Sequence, residues 1–172
     1  MVSGKNLKIH GLMLAAIAAI SMAGQPVHAA DVLNVKTIGT DLARDIADKT
    51  VQACTEKGYS VTAVVVDRSG QMIAMLRSQF AAVQTIDLAA GKARGAIMAG
   101  TPTGELLASR PQLAATLNHL DDVKMMEGGL PINGGGMRIG AVGVSGAPGG
   151  DIDAACAQTA LDAVFDRIEF AQ

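Results

Sequence analysis

Apolar residues recur at three- to four-residue steps between Thr40 and Lys57, at Leu42, Ile46, Ala47, Val51 and Cys54. That period lines one face of an α-helix, with Thr37 or Thr40 as its cap and Gly58 as its stop. Val61 to Val66 is an uninterrupted, valine-rich run, the pattern of a buried strand. Asp67-Arg68-Ser69-Gly70 reads as a turn and Gln71 to Arg77 as the returning strand of a hairpin. Val83 to Met98 predicts a second helix, with Val83, Ile86, Ala90, Ala93 and Ile97 on one side. Pro102-Thr103 opens a short helical piece ending at Ser109, and Arg110 to Asp122 reads as irregular or weakly helical. Val123 to Met126, Leu130 to Asn133 and Met137 to Ser145 read as three strands. Asp151 to Arg167 closes the chain as a helix, with Ile152, Ala155, Cys156, Ala160, Ala163 and Val164 on one side.

Helix, two strands, helix with a loop, three strands, helix is an α+β order. It predicts one mostly antiparallel sheet of about five strands with helices packed on it. A doubly wound parallel sheet needs regular strand–helix alternation, which the pattern lacks.

Glycine sharpens this picture. Ten of the 20 glycines fall between Glu127 and Gly150. Gly134 to Gly136 can turn the backbone, and Met137 to Ser145 then alternates bulky with small residues. Such a strand offers a face that another backbone, a helix or a flat ligand can approach. The glycines precede a strand, so they are no dinucleotide fingerprint, and no G-x-x-x-x-G-K-[ST] is present. Gly91 and Gly95 sit four apart inside the second helix, where each costs up to about 1 kcal/mol relative to alanine. A close packing partner is expected there, and the glycine-spaced face can meet a neighbouring copy.

Composition bounds the function. Lys5 and Lys8 precede the short apolar run Leu12 to Ile20, and Val27-His28-Ala29 offers a cleavage site. Residues 1–30 thus read as a secretory signal peptide and 31–172 as a single exported domain, periplasmic or secreted. No later apolar run reaches membrane length. The net charge of -2, with no basic block after the signal, argues against nucleic acid and anionic membrane as partners. Three Phe, one Tyr and no Trp leave the core to aliphatic residues and methionine. Cys54 and Cys156 can form a disulfide in an oxidising compartment or remain two buried thiols.

Few residues carry candidate chemistry. His119 is the one histidine expected in the mature chain, a metal or haem ligand or else a solvated loop residue. Lys92 and Arg94 can hold carboxylates or simply decorate a solvated helix face. Asp67 suits an Asx turn better than a general base. Ser145 lies in Gly143-Val144-Ser145-Gly146, which is not a nucleophile elbow.

Taken together, several of these segments resemble the GlcG/HbpS-like haem-binding family, also called haem-degrading, which includes the C-terminal domain of the PduO adenosyltransferase. The matching pieces are Val64-Val65-Val66-Asp67 with Gly70, Ile86-Asp87-Leu88-Ala89 with Lys92-Ala93, Pro102-Thr103 with Leu106, Gly128 to Ile132, and Ile139 to Gly146. The resemblance implies a profilin-like α/β/α sandwich and a homo-oligomer, often an octamer. It implies a small-molecule ligand, haem or a related tetrapyrrole. It also admits an enzyme or accessory factor acting on a small organic acid such as a glycolate-like carboxylate. It places Thr103 at a reported haem contact, whereas the histidine that other members carry near the domain start is missing here. The expected pocket gathers Thr103, Gly128, Gly129 and Pro131 with Lys92 and Arg94, and His119 is its only strong nitrogen ligand.

Overall fold

The centre of the fold is a valine ladder. In the computed structural model, which describes residues 33–170, strand β1 (Thr62–Asp67) is buried over all but its last residue. It pairs antiparallel with β2 (Met72–Arg77) on one side and β4 (Met137–Ser145) on the other. β3 (Gly129–Gly134) pairs antiparallel with β4, so the sheet order is β2-β1-β4-β3. Asp67 closes the β1–β2 turn as an Asx residue: its Oδ1 accepts the N–H groups of Ser69 at 2.8 Å and Gln71 at 3.0 Å.

Alternation along the strands feeds two cores. Ala63, Val65, Val142 and Val144 pack with Ile46 and Cys54 of α1 (Thr40–Glu56) and Cys156 and Ala157 of α5 (Gly150–Ala163). Val64, Val66 and Ala141 face Ala89, Ala90, Ala93 and Ala96 of α2 (Thr85–Ala99) on the other side. The result is the α/β/α sandwich with an antiparallel sheet. Cys54 and Cys156 form a disulfide with Cα atoms 5.4 Å apart, tying α1 to α5.

The sheet has four strands rather than about five. Residues 123–126 are not a strand but a strap over α2, where Lys124 N–H donates to Gly91 O at 2.9 Å. This strap is the reason for the two helix glycines. A Cβ on Gly95 would come within 2.7 Å of Lys124 O, and one on Gly91 would meet the Lys124 side chain. The glycine face is therefore filled by this chain and not by a neighbouring copy. Gly143 plays the matching part below α2, where a Cβ would run into Ala89 O.

Two helical details also differ from expectation. Pro111, at the first turn, starts α4 (Pro111–Leu117) within the stretch read as irregular, just after α3 (Thr103–Ser109). The last helix breaks at Val164 into α5 and α6 (Phe165–Glu169). These elements belong to one compact unit that starts at Val35. The expected signal segment, residues 1–30, lies outside the described residues. No described helix is long and apolar enough to cross a membrane.

Candidate functional site

The turn before β3 is where the sequence-derived site residues converge. Thr103, the first residue of α3, is fully buried. Its Oγ1 donates to Met126 O at 2.7 Å and accepts the Gly129 N–H at 3.0 Å. This hydroxyl thereby joins α3 to the entry of β3. Gly128 follows the joint with φ +116°, a conformation that side chains rarely adopt. A Cβ at Gly128 would stand 2.9 Å from Lys92 Nζ, and one at Gly129 would strike Lys92 O.

Lys92 is not on a solvated face. Its Nζ donates to Val144 O and to Asp153 Oδ2, both at 2.8 Å, and the two side chains are 4% and 3% exposed. Asp153 Oδ1 accepts the Ala147 N–H at 3.1 Å. Burial pushes the Asp153 carboxyl above the usual carboxylate range, while Lys92 and the Ala147 N–H pull it back. This ion pair pins α2, the end of β4 and the first turn of α5 to one another. Above it opens a cleft of about 320 Å³, lined by Leu107, Met126, Glu127, Ser145, Pro148 and the Gly149–Gly150 backbone as well as the pair.

Arg94 points elsewhere. Two positions beyond Lys92, it lies on a different face of α2. Its Nε donates to Gly70 O at 3.1 Å, and its Nη1 lies 3.9 Å from Asp122 Oδ1, a loose pair with an exposed acid. It lines a second cleft, of about 450 Å³, with Ile97, Met98 and Val123 as apolar walls and Gln71, Asp121 and Asp122 on the rim. Met98 is 50% exposed and forms part of this apolar wall. His119 is exposed at the end of α4, two residues before Asp121. Pro131 lies apart from both clefts, lining a groove beside Leu161 and Phe165. The residues of the single expected pocket thus separate: Lys92 lines one cleft, Thr103, Gly128 and Gly129 pack together against Lys92 behind it, and Arg94 lines the other cleft.

Sequence reasoning missed Asp153. Asp153 precedes Cys156 and Ala157 by three and four residues, so it shares their buried stripe, and an acid on a buried stripe needs a buried cation. Among the described residues no group of three His, Cys, Asp or Glu side chains is placed to hold a metal ion.

A family profile described as haem degrading protein, HbpS-like, matches residues 38–162. A double mutant of Streptomyces reticuli HbpS is 32% identical, with 83% of this chain and 98% of that chain covered and a TM-score of 0.73. Klebsiella pneumoniae protein ORFY is 31% identical, covering 77% and 93%, with a TM-score of 0.70. PduOC, solved as a heme complex, is 27% identical, covering 74% and 94%, with a TM-score of 0.67. No curated protein matches the chain. With the sandwich, the glycine-seated helix α2 and the buried Thr103 joint all lying inside the matched residues, the chain belongs to the HbpS-like haem-degrading family.

Proposed function

We propose that the mature chain is an exported binder of haem or a related tetrapyrrole, working as a homo-oligomer in the periplasm or outside the cell. The observation that carries this reading is the family membership together with a heme-complexed relative that the chain covers over 94% of its length. The cleft at Arg94 fits the group. Its volume falls within the usual range of ligand sites, and it combines apolar walls with one cation, Arg94, beside the rim acids Asp121 and Asp122. Ile97, Met98 and Val123 would hold the apolar part of the group. Arg94, held in place by Gly70 O, would pair with a propionate carboxylate through its outer nitrogens. His119, exposed on the turn two residues before the lining residue Asp121, would be the imidazole available to hold the iron. Bound haem supplies the iron and its redox chemistry; the chain orients the ring and limits access of water to one face.

Thr103 contributes from behind as the joint that sets the α3–β3 geometry. The test is a hemin titration followed by the Soret band. Wild type binds with a saturable shift. His119→Ala changes the band, and Arg94→Ala weakens binding about tenfold, as expected for a lost charge-assisted pair. Wild-type protein that leaves the hemin spectrum unchanged overturns the reading.

A further inference from the structure

The cleft above Lys92 and Asp153 is left unused by the haem reading, and a hydroxyl opens into it. Ser145 is 6% exposed, lines this cleft, and its hydroxyl has no hydrogen-bond partner among the described residues. Beside it α5, 14 residues long, begins at Gly149 without a side-chain cap. The N–H groups of Gly150, Asp151 and Ile152 have no acceptor within the helix, and the helix dipole adds positive potential there. Lys92 Nζ carries three N–H groups, of which Val144 O and Asp153 take two. The inner surface is therefore rich in donors: a hydroxyl, helix N-terminal amides and an ammonium.

From this we infer that the cleft binds the carboxylate of a short aliphatic acid. The carboxylate sits between the Ser145 hydroxyl and the start of α5, and the tail lies against Leu107, Met126 and Pro148. Asp153 does not repel it, because Lys92 neutralises that charge at 2.8 Å. Glu127 lines the cleft beside Gly150 and Asp151 lies in the first turn of α5; both are exposed, so water and salt screen them. A volume of about 320 Å³ admits a few carbons and excludes a whole macrocycle. The same chemistry serves a free acid or one propionate arm of a tetrapyrrole.

The test is a titration of isotope-labelled protein with sodium propionate at constant ionic strength, read from backbone amide shifts. Saturable shifts are expected at Gly150, Asp151 and Ser145, and propan-1-ol, which lacks the charge, produces none. Ser145→Ala weakens binding about fivefold to tenfold. Glu127→Gln, on the exposed rim, tightens it about twofold. Hemin moving the same amides while its dimethyl ester does not assigns the carboxylate to a tetrapyrrole; propionate acting without competition from hemin assigns it to a free acid. Non-saturating shifts, equal shifts with chloride, or equal affinity in wild type, Ser145→Ala and Glu127→Gln overturn the inference. Because the propionate titration contains no hemin, its failure leaves the haem reading standing, and the reverse also holds.

Discussion

The Thr103 hydroxyl donates to one carbonyl and accepts one N–H within 3.0 Å, and both partners are on the strap and turn that lead into β3. Replacing it by valine keeps the shape and strands both backbone groups, so Thr103→Val is expected to cost about 1–3 kcal/mol in urea unfolding, while Thr103→Ser costs less. Its family-derived part as a ligand contact is hard to meet from so enclosed a position without loosening this joint. Lys92 and Asp153 form the more demanding pair. Removing either leaves a buried charge alone, so Lys92→Met or Asp153→Leu singly costs about 3–5 kcal/mol, and the double variant recovers much of the loss. The two shifted carboxyls act oppositely with pH. Burial raises Asp153, so its own titration favours the folded state below the ordinary carboxylate range, and that advantage disappears as pH rises through its folded value. Arg167 holds Asp45 below the usual range, so that contribution is present at neutral pH and is lost as pH falls through the folded value. The stability gap between wild type and Asp45→Asn is therefore expected to shrink on acidification, which urea melts at neutral pH and at about pH 3 will show.

At the level of elements, α2 is the part that everything else leans on. Its two interior glycines accept the strap, but with different tolerance. At Gly91 a Cβ would meet the root of the Lys124 side chain, its Cγ at 2.5 Å and Cβ at 3.1 Å, whereas at Gly95 it would meet the Lys124 carbonyl. Both alanine variants are expected to destabilise, Gly91→Ala less because a Lys124 rotamer change relieves part of the clash and alanine favours the helix, Gly95→Ala by about 1–3 kcal/mol. Thermal melts of the two variants check this. The need for close packing at these glycines was legible in the sequence, since unsupported glycines in a helix are costly. The partner was not, because it is a segment some 30 residues further on whose alternation imitates a strand. The valine ladder, the hairpin and the amphipathic stripes of α1 and α5 were readable because burial of one face imposes its period on local sequence. The split of one site into two clefts was not readable. It depends on Lys92 turning inward to a carboxylate 61 positions away, and helix periodicity alone does not reveal that partner.

For the molecule as a whole, the disulfide closes a loop of 102 residues between the first and penultimate helices. Reduction or Cys54→Ala/Cys156→Ala is expected to lower stability by about 2–4 kcal/mol, measured by urea unfolding with and without reductant. A bond of this kind persists in an oxidising compartment, which agrees with the proposed export. The edge strand β2 leaves Met72, Met75 and Leu76 exposed, and Phe80 and Val83 after it are more exposed still. An apolar edge of this extent suits the proposed homo-oligomer.

The most direct trial of the account is hemin binding by the mature wild-type protein beside its Arg94→Ala and His119→Ala variants, followed at the Soret band. Saturable binding by wild type, weakened by loss of the guanidinium and spectrally altered by loss of the imidazole, is the predicted result. A hemin spectrum that does not change on adding wild-type protein, or that changes identically with all three, would contradict it.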